Sequence, residues 1–462
     1  MEKSNFAQGI PSIQTIIPSF MSNIISIILG RSVVVASMAL ALPVTAAAQN
    51  TYQPSPENLA AREKFNDSRF GIFLHWGIYS LFGQGEWYMN NANVNYREYA
   101  KAAQAFYPHN FDAGKWIDAF KDAGARYICF TTRHHDSFSM WDTKQSDYNI
   151  MNTPYGKDIV KQLADACHSK DMGFHLYYSH LDWTRDDYPL GRTGHGTGRT
   201  GKSDWPSYYR FMNAQLTELL TNYGRVDCIW FDGVWDHDQD SVPFNWQLKE
   251  QYELIHKLQP ACLVGNNHHL NTNEGEDIQL FERDVPGENK AGYSGDADIS
   301  QLPLETCQTM NGSWGYKVKD LNYKSTATLI RLLARTASKG ANLLLNIGPQ
   351  PDGSLPDAAL VRLREIGQWL RAHGDAIYGT DGMEYATGGD SIVCTKTDKT
   401  IYIHVLSPKV TTVSGLPVSK RVRSVTAYPG GQRLKYKYKK GQLTVTDLSI
   451  AKDCPDYIIA VK

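Results

Sequence analysis

Short apolar segments of strand length alternate with amphipathic helical stretches along most of this 462-residue chain. That alternation constrains the fold to a largely parallel sheet, because parallel neighbours need a long crossover and the helices cover the sheet faces. Strand candidates fall at 70–75, 127–132, 174–178, 226–232, 262–266, 278–281, 306–310 and 342–347, eight in all. Between them, Trp116, Ile117, Phe120 and Ala123 share one helical face, and Ile159, Val160, Leu163, Ala164 and Cys167 share another, with Gly173 expected to stop the second helix. Ser325 is placed to cap a helix whose stripe is Leu329, Leu332, Leu333 and Ala337 and which Gly340 ends. Eight strands in this pattern predict an α/β fold, a (β/α)8-like TIM barrel. A doubly wound open sheet has the same periodicity, since alternation does not reveal whether a sheet closes.

Beyond Pro356 and a helix bearing Leu360, Leu363, Ile366 and Leu370, the pattern changes to short alternating segments such as Thr400-Ile-Tyr-Ile-His-Val-Leu406. Turn signals at Pro429-Gly430-Gly431 and Lys439-Lys440-Gly441 separate them, which predicts a C-terminal antiparallel β-sandwich over residues 381–462 after a barrel over 49–380. Residues 1–48 read as an export signal: an apolar core from Ser32 to Leu42 follows Arg31, and small residues Ala46, Ala47 and Ala48 suit cleavage. Met21 is an alternative start. The apolar core is too short to span a bilayer, so the expectation is a secreted or periplasmic protein with no stable membrane insertion after cleavage.

The formal net charge is −1, and the 47 Lys and Arg read as scattered, which argues against a nucleic-acid partner. Seven Cys show no metal-site or disulfide-scaffold spacing; Cys129, Cys228 and Cys262 lie in apolar runs, and Cys394 and Cys454 are the one pair considered for a disulfide.

The chemistry centres on Val226-Asp-Cys-Ile-Trp-Phe-Asp232-Gly233, an apolar strand that delivers a carboxylate, with Trp230 beside it, to the place where the chain leaves the sheet. Barrel enzymes carry their reactive side chains there. An acid next to an indole suits a sugar ring, whose C–H face the indole covers while the acid works at the anomeric carbon. Gly196-Thr-Gly-Arg-Thr-Gly201-Lys202-Ser203 matches the phosphate-loop pattern, but it follows a polar stretch instead of a buried strand, so it is read as a long flexible loop at the barrel mouth. His75-Trp76, Glu86-Trp87 and Arg133-His134-His135-Asp136 lie at or beyond strand ends. Adjacent histidines point to opposite faces of a strand, so this set fits hydroxyl recognition better than a metal site.

Six motifs in order carry a family resemblance: Phe70-Gly-Ile-Phe-Leu-His75-Trp-Gly77, Thr132-Arg-His134-His135-Asp-Ser-Phe-Ser-Met-Trp141, Tyr177-Tyr178-Ser179, Trp230-Phe-Asp232-Gly233, Ser313-Trp-Gly-Tyr316 and Asn346-Ile-Gly-Pro349-Gln-Pro-Asp-Gly353. Together the chain resembles the α-L-fucosidases of glycoside hydrolase family 29. The resemblance implies a retaining hydrolase of terminal α-linked L-fucose on fucosylated oligosaccharides or glycoconjugates, with no metal or organic cofactor. It implies that Asp232 is the nucleophile, that His75, Glu86, Trp87, His134, His135 and Tyr178 bind the sugar's hydroxyls and ring, and that Trp230 and Trp314 line its pocket.

A retaining mechanism needs a second carboxyl group as acid and base. The candidates are Glu282 and Glu288. Counting back from Leu304-Glu305-Thr-Cys307, which resembles the family's Trp-Glu-x-Cys signature, favours Glu288, on a Pro286-Gly287 turn suited to a lid. Leu304 stands where the signature has Trp. After Leu263-Val264 the family often has Arg where this chain reads Gly265-Asn-Asn267-His-His269, so Asn267 or His268 is expected to take that contact. A non-catalytic glycan binder on the same barrel and an exo-glycosidase for a related sugar such as L-galactose are the competing readings.

Overall fold

The structure, a computed structural model, describes residues 52–295 and 297–462; the export-signal reading lies outside them. All eight expected strands form: β1 (Phe70–Leu74), β2 (Tyr127–Arg133), β3 (Gly173–Ser179), β4 (Cys228–Asp232), β5 (Leu263–Asn267), β6 (Gln279–Glu282), β7 (Leu304–Thr309) and β8 (Ala341–Ile347). They pair in parallel in the order β5-β4-β3-β2-β1-β8-β7-β6. The two end strands meet through the single bridge Gly265↔Ile278, which nearly closes the sheet into a barrel instead of leaving it open. Asp277 completes that seam: its carboxylate accepts from the Val264 N–H at 2.8 Å and pairs with Arg62 and His256.

Helices Ala113–Asp122, Ile159–Ser169, Trp205–Asn222 and Thr326–Ser338 each begin on a side-chain cap, from Asp112, Asp158, Asp204 and Ser325, which accepts a backbone N–H three residues on. Such caps satisfy donors that the first turn leaves unpaired. The second of these helices ends before Gly173, at Lys170, and Asp171 takes the left-handed conformation (φ 49°) while Gly173 opens β3. Among the described residues, no α-helix separates β5 from β6 or β6 from β7, so the barrel keeps long loops on that side.

The barrel interior is filled by Phe65, Phe73, Tyr127, Cys129, Tyr177, Cys228, Trp230, Leu263, Ile278, Leu280, Cys307 and Leu344. The larger apolar layer lies outside, between strands and helices, and includes Ile72, Leu176, Ile229 and Phe231. Successive strand residues thus alternate between a narrow interior and a wide helix-covered layer.

The C-terminal part is a sandwich of two antiparallel sheets. One has five strands, ordered β13 (Val425–Tyr428), β16 (Tyr457–Val461), β11 (Ile401–Val405), β10 (Ile392–Lys396) and β9 (Asp381–Met383); the other has three, β12 (Val413–Pro417), β15 (Gln442–Val445) and β14 (Tyr436–Lys439). The reading of the Lys and Arg as scattered and not clustered fails here. Residues 420–440 hold eight Lys and Arg and no Asp or Glu. Lys437 and Lys439 lie exposed on edge strand β14, where charge discourages pairing with another chain. The considered disulfide does not form: all seven cysteines are free, Cys394 faces the sandwich core, and Cys454 lies in a loop whose carbonyl accepts from Arg331. No described helix is long and apolar enough to cross a membrane.

Candidate active site

Strand alternation builds the site. On β4, Cys228 and Trp230 face the interior while Ile229 and Phe231 face the helices, so Asp232, the last residue, points inward above Trp230. By the same rule His75 stands above Phe73, Tyr177 above His175, and Glu282 above Leu280. These groups line one cavity of about 650 Å3 at the carboxyl ends of the strands. The chain then turns sharply at Gly233 (φ 99°), where an added Cβ would lie 2.6 Å from the Leu181 side chain.

Asp232 is 9% exposed and surrounded by donors. Its Oδ1 accepts from the Gly233 N–H and Trp235 Nε1, both at 2.8 Å, and from Asn267 Nδ2 at 3.3 Å. Among the described residues, its Oδ2 accepts only from the Tyr177 hydroxyl, at 2.9 Å, and faces His135 Nε2 at 3.6 Å. Burial and the neighbouring charge of Glu282 push its carboxyl above the usual range, against the Trp235 and Tyr177 hydrogen bonds.

Glu282 shares this cavity and Glu288 does not. The Asn267 amide that reaches Asp232 also donates to Glu282 Oε2 at 2.9 Å, so one nitrogen spans both carboxylates. His269 Nε2 bonds the same oxygen at 3.2 Å, leaving Oε1 facing Arg283 at 3.9 Å. Burial raises the Glu282 carboxyl, but His269 and Asn267 outweigh it and hold the group below its ordinary value. Glu288, the glutamate favoured by spacing, is placed outside the cavity. It lies past the strand, paired with Arg335 on the Thr326–Ser338 helix and with Lys290 at 3.2 Å, so it faces the barrel's flank. Both His269 (φ 65°) and Arg283 (φ 61°) are non-glycine residues in the left-handed region, a strain that concentrates where side chains must be aimed.

Of the residues expected to hold a sugar, His75, Glu86, Trp87, His134, His135, Trp230 and Trp314 line the cavity. Burial drives His75 and His135 down to about 3 and His134 well below its usual value, so all three are neutral imidazoles. His135 Nδ1 bonds Ser179 Oγ at 2.7 Å, and that hydroxyl itself donates to Leu181 O, which fixes His135 Nδ1 as the donor and leaves Nε2 a lone pair toward the cavity. His75 Nδ1 similarly bonds Asn346 Oδ1 at 2.7 Å. Glu86 Oε2 accepts from the Gly315 N–H at 2.7 Å and Ser313 Oγ at 3.2 Å. Trp314 stacks on His75 at 5.2 Å, and Trp230 is fixed by donating to Glu305 at 2.9 Å.

Tyr178 is the second correction. It is fully buried on the helix side, donating to Gln215 at 2.7 Å beside Arg133, and Tyr177 takes the place in the cavity. The phosphate-loop look-alike is not a phosphate site: Gly196 lies so close to Asn93 that a Cβ would fall 1.9 Å from its side-chain oxygen. Its neighbours Gly194 and Thr197 bond Asn90 and Trp183, so the loop expected to be flexible is anchored.

The family model for alpha-L-fucosidase matches residues 39–375, spanning the whole barrel. The chain belongs to the alpha-L-fucosidase family. It is similar to alpha-L-fucosidase isoenzyme 1 of Paenibacillus thiaminolyticus, with 30% identity, a TM-score of 0.76, and 87% of this chain and 99% of that one covered. A family 29 alpha-L-fucosidase of Bacteroides thetaiotaomicron, solved as a trapped covalent intermediate with 2-fluoro-fucosyl fluoride, is 25% identical over 90% of this chain and 98% of that one, with a TM-score of 0.76. The plasma alpha-L-fucosidase of Homo sapiens is 29% identical over 358 residues, 71% of this chain and 72% of that protein.

Within this fucosidase fold, four groups around the carboxylates escaped the sequence reading: Tyr177, Trp235, His269 and Arg283. Tyr177 had a visible signal, because Phe174, Leu176 and Tyr178 form the apolar side of β3 while His175, Tyr177 and Ser179 form the polar one. Trp235 follows the strand end by three residues. Arg283 follows Glu282 directly, so its place beside that carboxylate was visible in the chain; His269 had no such signal, since a loop path alone brings it to Glu282. Of the two residues expected to replace the family's Arg, Asn267 reaches the carboxylates, whereas His268 turns away to Glu276 at 3.0 Å.

Proposed function

We propose that this protein is a retaining exo-α-L-fucosidase that removes terminal α-linked L-fucose from glycans through a covalent fucosyl-Asp232 intermediate, with Glu282 as acid and base. The observation that carries the reading is the Asn267 amide shared by the two carboxylates. One amide spans two groups only when they are a few ångströms apart, and retention calls for a separation of roughly 5 Å. Asp232 Oδ2, which has one hydrogen bond where Oδ1 has three, is the attacking oxygen. Glu282 Oε1 donates its proton to the departing oxygen and then takes one from water. Neutral His75, His134 and His135 with Glu86 orient the fucose hydroxyls, and Trp230 and Trp314 cover its apolar face.

In the unliganded site burial and the charge of Glu282 raise the Asp232 carboxyl, while His269 and Asn267 lower that of Glu282, an order opposite to the one the reaction needs. Substrate reverses this order. A departing oxygen competes with His269 and Asn267 for Glu282 and excludes water from it, both of which favour its protonated form. Asp232 keeps Tyr177, Trp235 and the Gly233 N–H, all of which stabilise its anion.

This reading also takes residues 1–48 as an export signal ahead of the barrel (49–380) and the sandwich (381–462), giving a secreted or periplasmic enzyme. An aryl α-L-fucoside should release its phenol, and proton NMR at early times should show the α anomer of fucose forming first. Release of the β anomer first would rule out retention, and no release would favour a glycan binder. A panel of aryl glycosides tests for L-galactose. His269→Ala should raise the Glu282 pKa, so the acid stays protonated to higher pH and the basic limb of the kcat/KM profile moves upward. A limb that stays still would remove His269 from the tuning of Glu282.

A further inference from the structure

The cavity continues past the carboxylates to His269, Leu270 and Tyr293. The departing oxygen must lie within hydrogen-bond reach of Glu282, so whatever is attached to it meets first the groups flanking that side chain. Asp232 and Asn267 hold the fucose side. On the other side, Arg283 is laid over Trp314 at 4.9 Å and donates to Gly312 O, which occupies its guanidinium. His269 instead leads outward: its ring stacks on Tyr293, centroids 5.2 Å apart at 28°.

Tyr293 is 42% exposed and the adjoining Leu270 65%, and both line the same cavity. Large apolar side chains left uncovered at the mouth of a polar pocket gain by being covered. The loop that carries Tyr293 is fixed: buried Asp284 accepts from the N–H groups of Lys290 and Ala291, Asn289 accepts from the Ser294 N–H, and Glu288 ties the loop to Arg335. A ring held this way loses little freedom when a ligand lands on it.

We propose that Tyr293, with Leu270 beside it, is the platform for the sugar that adjoins the fucose, and that the enzyme therefore selects glycans in which that neighbour is a pyranose presenting a C–H face. One imidazole, that of His269, separates the ring from the acid. Glu288, which anchors the loop, is then a positioning residue for this platform. The inference rests on the fucosidase reading and names the leaving-group side of that site.

The test compares two substrates on the full-length enzyme: α-L-fucosyl fluoride, which has no sugar on the leaving side, and whichever fucosylated disaccharide of galactose or N-acetylglucosamine the wild type cleaves fastest. In Tyr293→Ala, the ratio of kcat/KM for the disaccharide to that for the fluoride should fall about tenfold, the range of one lost aromatic stack. Tyr293→Phe, which keeps the ring, should restore the ratio. The basic limb of the pH profile should not move, as it would if Tyr293 acted by holding His269 against Glu282. An unchanged ratio, or a shifted limb with both substrates falling together, overturns the proposal. Wild-type failure on both substrates would instead overturn the fucosidase reading itself.

Discussion

Asp232→Gly should lower kcat/KM for an aryl α-L-fucoside by on the order of 10⁴-fold or more, the scale at which loss of a nucleophile is felt in enzymes of this kind. The fold should survive, because Asp232 lies at a strand end and contributes no core packing. Its partners Tyr177, Trp235 and the Gly233 N–H then surround a small space on the face opposite the leaving group. Azide fits that space and attacks from the side Asp232 vacated, so the product should be β-L-fucosyl azide, inverted relative to the substrate. Two results would count against the assignment: turnover that stays within tenfold of wild type, or azide that yields only the α product. Mass spectrometry of wild type quenched with a 2-fluoro fucosyl fluoride should, in parallel, find the label on the peptide that contains Asp232.

The second large effect separates the two glutamates. Glu282→Ala should cut activity on substrates with a poorly departing alcohol by on the order of 10²- to 10⁴-fold, the usual contribution of a positioned general acid. A reactive aryl leaving group needs little protonation, so with it the first step should survive and the fucosyl-enzyme should accumulate. Azide should then rescue turnover and give α-L-fucosyl azide, because it attacks the covalent intermediate and not the substrate. The basic limb of the pH profile should disappear along with the acid. Glu288→Ala should keep aryl fucoside turnover within a few-fold, since its carboxylate is engaged with Arg335 and Lys290 on the barrel flank. Rescue by azide in Glu288→Ala and not in Glu282→Ala would reverse the assignment.

How far the sequence reached depended on whether a property was local. Strand and helix positions were legible because burial on two faces writes its period into the chain: Cys228, Trp230 and Asp232 against Ile229 and Phe231 state which side of β4 faces the interior. That same rule, applied to β3, distinguishes Tyr177 from Tyr178, since Phe174 and Leu176 mark the helix-facing side. Caps were legible for the same reason, as Ser325 and Thr328 lie within one turn. The six motifs fixed the family because they are strand ends and adjoining turns, where chain direction and side-chain type are set by neighbours in sequence.

The acid was another matter. Glu282 and Glu288 lie in one short stretch with similar local surroundings, and spacing from Leu304 favoured Glu288, which the fold places outside the cavity. Only the folded chain separates them, because β6 ends at Glu282 with that residue facing inward, and the segment beyond it crosses to Arg335. His269 and Tyr293 likewise come to the mouth from loops that follow β5 and β6, where no helix dictates the path. The sequence by itself determined the barrel and the family, and it placed Asp232 at the carboxyl end of a strand, through periodicity and contiguous motifs. Tertiary structure decided which glutamate stands beside Asp232, which of Tyr177 and Tyr178 enters the cavity and which loop residues reach its mouth, because those depend on contacts between residues that only the closing of the sheet brings together.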